Sequence, residues 1–153
     1  MNIQYTKTRD VKDPTVGTSG SLGIDLYIPN DFKPIFLQHG EDVLIPSGLH
    51  FNIPVGYGLL AADKSGVATK KKLTVLAKVI DTDYQGEVHI HMMNVGKGAS
   101  GAGMLISPGE KIVQLIIIPH IHPELTSIES KELLYQNINS ERGEGAFGST
   151  GIK

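Results

Sequence analysis

Val88-His89-Ile90-His91-Met92 alternates apolar and polar side chains, and a period of two is the pattern of a strand with one buried face. Further on, Ile112 to Ile118 is almost continuously apolar and stops at Pro119, as expected of a strand covered on both faces. Upstream, Val43-Leu44-Ile45-Pro46 is followed by a turn at Ser47-Gly48 and a second run, Leu49 to Ile53. Leu73 to Ile80 is apolar and partly β-branched, and it ends at the polar turn Asp81-Thr82-Asp83-Tyr84-Gln85-Gly86. Short runs with close turn signals predict an all-β sandwich or barrel. Helical pattern is confined to Ser65 to Lys72 and to Ser130 to Tyr135, both too short to stand on propensity alone.

The whole chain agrees with one compact domain. It has 153 residues, 40% hydrophobic and 20% charged, with 14 Lys+Arg against 16 Asp+Glu. That composition excludes disorder and fibres, and the near-neutral balance offers no cationic footprint for nucleic acid. Without cysteine there is no disulfide framework, thiolate zinc site or cysteine nucleophile. No apolar run approaches the ~18 residues that would span a bilayer. The opening Met-Asn-Ile-Gln-Tyr lacks the charged-then-apolar plan of a signal peptide. A cytoplasmic protein with no membrane partner is expected.

Several residues carry chemistry that composition leaves open. Asp81 and Asp83 flank Thr82 at a strand end; a partly enclosed carboxylate there can orient and deprotonate a water, or the pair is an ordinary acidic turn. Asp25 sits among apolar neighbours in Gly23-Ile24-Asp25-Leu26. Lys64-Ser65-Gly66 offers a cation, a hydroxyl and a permissive backbone, suited to phosphate or to a plain turn. The tail Arg142-Gly143-Glu144-Gly145-Ala146-Phe147-Gly148-Ser149-Thr150-Gly151 is either an anion cradle or a mobile Gly-Ser end. Its Gly143 to Thr150 spacing imitates a phosphate loop, but Ser149 stands where that motif needs lysine and no helix follows. His89 with His91, and His120 with His122, lack a third ligand at metal spacing and read as solvent-facing.

Taken in order, these pieces resemble the trimeric dUTP pyrophosphatase (dUTPase) family, whose five motifs span the whole chain. Gly23 to Leu26 is similar to the first, Asp63-Lys64-Ser65-Gly66-Val67-Ala68 to the second, and Val79 to Glu87 to the third. Pro108 to Leu115 matches the fourth, and Arg142 to Gly151 the fifth. Lys64 departs from the usual arginine, keeping the charge without the planar fork.

The resemblance implies a single-domain β-barrel or jelly roll over residues 1–141, with a flexible glycine-rich arm over 142–153. It implies Mg²⁺-dependent hydrolysis of dUTP to dUMP and pyrophosphate, with Asp81 activating the water and Tyr84 lying against the deoxyribose. Main-chain groups around Val75, Val79, Ile80 and His89 would read uracil. Lys64, Ser65, Gly66 and Gln114 would contact the phosphates, and Asp25 would hold Mg²⁺ through a water. Arg142, Gly148, Ser149 and Thr150 would close over the γ-phosphate, with Phe147 stacked on the base. A homotrimer with shared sites is implied. The rival readings are a dCTP deaminase of the same fold and a scaffold with an added regulatory protein partner.

Overall fold

The computed structural model describes residues 1–96 and 103–145. Its contacts divide the chain into two units, Met1–Ile121 and His122–Lys153. Among the described residues the first unit holds twelve strands and one helix, so the all-β expectation is met. β1 (Gln4–Lys7), β2 (Thr15–Val16), β3 (Ile24–Tyr27) and β4 (Ile35–Leu37) lead to β5 (Asp42–Pro46) and β6 (Leu49–Asn52). β7 (Tyr57–Asp63) runs into α1 (Ser65–Lys71), then β8 (Leu73–Val75) and β9 (Val79–Ile80). β10 (His89–Asn94), β11 (Met104–Ile106) and β12 (Lys111–Pro119) complete the unit. They form four sheets: β1-β6, β5-β10-β8, β11-β4 and β2-β3-β12-β7-β9.

The two stretches that decided the reading sit where their patterns put them. Val88 precedes β10, and it is buried with Ile90 and Met92 of that strand, whereas His89 is exposed. β12 lies in the middle of the five-stranded sheet, antiparallel to β3 along one edge and to β7 along the other. Ile112, Val113 and Leu115 are at most 1% exposed, and the second half of the strand is less deeply covered. The core they enter is shared by Leu26 and Leu59 of β12's own sheet and by Ile45 of β5 and Ile106 of β11.

Two runs behave differently from a simple strand. At Ser47-Gly48 the chain turns with Gly48 at φ +74°, a left-handed conformation that suits glycine. β5 and β6 then pair with different partners, β10 and β1. The Leu73 to Ile80 run is broken into β8 and β9, which belong to different sheets. The Asp63 carboxylate takes the Val75 N–H at 2.7 Å, and the Lys78 carbonyl accepts from Ala61 at 2.7 Å. Both bonds reach β7, but β8 pairs with β10 and β9 with β7, and pairing in two separate sheets bends a run that hydrophobicity alone reads as continuous.

α1 matches the first helical expectation and ends at Lys72, which is left-handed at φ 54°. In the second unit, α2 spans Lys131–Tyr135, and the Ser130 hydroxyl caps it by accepting from the Leu133 N–H at 3.3 Å. No helix among the described residues is long and apolar enough to cross a membrane. Because Leu115 is fully buried at the centre of the largest sheet, Leu115→Ala should destabilise the fold by about 2–5 kcal/mol. Denaturant unfolding checks this, and a cost below about 1 kcal/mol would show that β12 is not the packed centre.

Candidate active site

Asp25 lies on β3, opposite Gln114 of β12 and Thr15 of β2. It is 4% exposed, and a buried carboxylate needs partners. Lys64 pairs with one carboxylate oxygen, and Lys111 Nζ sits 3.1 Å from the other. Burial alone would raise this acid. The hydrogen bonds from Lys64 and Lys111 together outweigh burial and hold it below its ordinary 3.8. Lys64 precedes α1 with extended backbone, so its side chain turns back to β3. Lys111 also lies 5.5 Å from the centre of the Tyr27 ring, within cation–π reach.

Gln114 Nε2 donates to the Asp63 carbonyl at 2.8 Å, and the Asp63 carboxylate accepts from Val75 N–H and from the Thr74 hydroxyl at 3.0 Å. Asp25, Lys64 and Gln114 therefore meet in one cluster, with Ser65 and Gly66 exposed at the start of α1 beside it. The cluster is a cationic rim over a buried acid, a setting that receives a polyanion.

A second group surrounds a cavity of about 190 Å³ lined by Ala77, Val79, Ile80, Asp81, Tyr84, Val88 and His89. The Tyr84 N–H donates to the Asp81 carbonyl at 3.2 Å and closes the turn after β9. The Tyr84 hydroxyl and His89 Nδ1 each lie 2.9 Å from the Glu87 carbonyl. A carbonyl only accepts, so His89 carries a proton on Nδ1. A Cβ at Gly86 would strike the Tyr84 ring, which explains glycine after Gln85. Asp81 is exposed in the single chain, where the sequence led us to expect partial enclosure.

Val75 stands apart from this cavity, buried on β8 with its N–H engaged by Asp63. Arg142 belongs to the second unit, where its Nε donates to the Gly145 carbonyl at 2.7 Å. Phe147, Gly148, Ser149 and Thr150 lie outside the described residues. His91 Nε2 lies 2.7 Å from an Asp42 carboxylate oxygen, and among the described residues no three His, Asp or Glu side chains converge as metal ligands. With both Asp25 oxygens facing ammonium groups, the donor set does not cage a Mg²⁺ ion. It fits a contact through water to an ion held mainly by its ligand's oxygens.

Lys111 and Asp63 were not singled out in the sequence, although both lie inside recognised motifs. Lys111 was legible only as the polar first residue of an apolar strand. Its contact depends on the register shift between Lys111 and Val113. Asp63 resembles any acid closing a strand.

The dUTPase family profile matches residues 9–151. The chain belongs to the dUTPase family. A deoxyuridine 5'-triphosphate nucleotidohydrolase of Hydrogenobaculum sp. (strain Y04AAS1) is 36% identical over 156 residues, covering 100% of both chains. One from Bdellovibrio bacteriovorus is 42% identical over 120 residues, 77% of this chain and 74% of the relative. Among solved structures, the Staphylococcus bacteriophage 80alpha dUTPase with dUPNHPP superposes with a TM-score of 0.83 at 26% identity, covering 99% of each chain. In dUTPase terms, the Asp25 cluster unites the first, second and fourth motifs, and the cavity is walled mainly by the third.

The depressed Asp25 value gives folding a pH dependence of defined sign. Its ion pairs contribute fully above the unfolded value of 3.8 and are lost as pH falls through the lower folded value. The stability difference between wild type and Asp25→Asn should therefore shrink as pH drops below 3.8. Chemical unfolding between about pH 6 and about pH 2.5 tests this, and a constant difference would remove Asp25 from the linkage.

Proposed function

We propose that this chain hydrolyses dUTP to dUMP and pyrophosphate, lowering dUTP and supplying dUMP for thymidylate synthesis. The supporting observation is that Asp81 and Tyr84 wall one cavity in a chain matched to the dUTPase family over residues 9–151. Asp81 positions a water and takes its proton as the water attacks the α-phosphate. Tyr84 lies against the deoxyribose, where its ring leaves no space for a 2′-hydroxyl. Main-chain groups of Val79 and Ile80, with His89, read the uracil edge, whereas the Val75 N–H is committed to Asp63. Such polar readout rejects a mismatched base because buried groups would be left unpaired.

The cavity's size argues for a composite site. About 190 Å³ is less than the roughly 300–1,000 Å³ of a complete small-molecule site, enough for part of a nucleotide. Asp81 is also exposed in the single chain, so its enclosure must be supplied by other elements. Both points support a homotrimer in which other copies complete each site. The arm over 142–153 would serve as the lid, with Arg142, Gly148, Ser149 and Thr150 on the γ-phosphate and Phe147 stacked on the base. Lys64, Ser65, Gly66 and Gln114 receive the phosphate chain, and the long Lys64 stem lets its ammonium be shared between Asp25 and a phosphate oxygen. Bound Mg²⁺ would neutralise charge across the phosphates while keeping most of its waters, one of them held by Asp25. We place the enzyme in the cytoplasm.

Pyrophosphate release measured with dUTP, dTTP, dCTP and UTP in the presence of Mg²⁺ should occur with dUTP alone. Ammonia release from dCTP would instead identify a deaminase. Asp81→Asn should bind the nucleotide yet lose about 10²-fold or more in kcat, and wild-type turnover would reject the assignment. Deleting residues 142–153 should leave assembly intact, as sedimentation would show, and cut turnover by at least ~10²-fold.

A further inference from the structure

Outside the residues already assigned, one hydrogen-bonded junction sits directly against Asp81. β9 is only two residues long, and its pairing with β7 ends at Ile80 opposite Leu59. Carrying that antiparallel register onward would place Thr82 opposite Tyr57, the first residue of β7. The Tyr57 carbonyl does receive a hydrogen bond from residue 82, but from the Thr82 side-chain hydroxyl. A side chain has replaced the backbone rung at the point where the chain leaves the sheet and enters the Asp81 to Tyr84 turn.

The same hydroxyl oxygen lies 2.8 Å from His120 Nε2. A threonine hydroxyl has one proton, and the Tyr57 carbonyl can only accept, so that proton is committed to Tyr57. His120 must then donate from Nε2 into the Thr82 oxygen. His120 stands just past β12, and its own backbone N–H donates to the Gly56 carbonyl at 2.9 Å. The ends of β12 and β7 thus grip Thr82 together through a directed chain, His120 Nε2–H to Thr82 Oγ1–H to Tyr57 carbonyl. The turn has a further internal closure in the bond from Tyr84 N–H to the Asp81 carbonyl.

We propose that His120 and Thr82 are positioning residues for Asp81, holding the exposed turn in the orientation from which its carboxylate addresses the attacking water. The inference rests on the assignment of Asp81 made above. Neither side chain touches the substrate in this scheme. Both act through residue 82, the immediate backbone neighbour of Asp81, where a displacement of about 1 Å can cost as much as 10²-fold in rate.

Four variants of the full-length enzyme test the proposal, with steady-state kinetics on dUTP and thermal unfolding measured for each. Thr82→Val keeps shape and removes the hydroxyl, and His120→Leu removes the donor. Each should lower kcat by about tenfold or more, with KM within about twofold and the melting midpoint close to wild type. Thr82→Ser should restore most of the lost turnover, because the hydroxyl returns without the methyl. The Thr82→Val/His120→Leu double variant should be no slower than the worse single, since both break one chain. Wild-type kcat in Thr82→Val, or full additivity in the double variant, would overturn the proposal. The failure of the underlying reading is seen separately: an active Asp81→Asn removes the catalytic assignment, whereas an inactive Asp81→Asn beside a fully active Thr82→Val removes only the positioning role.

Discussion

β12 is hydrogen-bonded along both edges, and the placement of the Asp25 cluster and of the His120–Thr82 junction follows from that. Its first half sets Gln114 opposite Asp25 and opposite Ala62 of β7, so the buried acid and the strand leading into Lys64 are held in register by one segment. Its far end delivers Pro119 opposite Tyr57 and His120 beside Thr82. A strand with a free edge can slip or fray. One enclosed by two antiparallel neighbours fixes side-chain facing along its length, because a shift of one residue would turn its buried set to the outside.

The Asp25 cluster shows how an ion group can be tolerated inside such a sheet. Taking a carboxylate out of water is costly, and an attraction to a single cation does not always repay that. Here two ammonium groups approach separate oxygens, and both lysines keep part of their length in solvent. Charge is therefore compensated by two cations whose side chains stay partly in solvent. Lysine in place of the usual arginine gives up bidentate geometry and gains a slender, flexible stem.

The fold was largely readable because the deciding stretches are long or strictly periodic. The alternation from Val88 to Met92 and the apolar run of β12 both stand in the structure as strands, although β12 is covered on both faces only in its first half. The Leu73 to Ile80 run was not readable, since its division between two sheets depends on β8 finding β10 and β9 finding β7, strands far away or unmarked in the local pattern. Asp81, Tyr84 and His89 converge on one cavity and Asp25, Lys64 and Gln114 on one cluster, whereas Lys111 and Asp63 escaped notice and His120, read as solvent-facing, is half-buried against Thr82. Those three act through register and through partners distant in sequence, which no local pattern encodes.

Glu87 serves two neighbouring parts of the molecule with different groups of one residue. Its carboxylate accepts from the Gly48 N–H at 2.7 Å and from Arg9 at 3.0 Å, securing the corner between β5 and β6. Its carbonyl receives Tyr84 and His89 at the cavity wall. The first duty depends on which amino acid occupies the position, and the second belongs to any residue with a main chain. Genetic drift at this codon would accordingly loosen the scaffold while sparing the recognition surface, an insulation of one trait from the other built into a single residue.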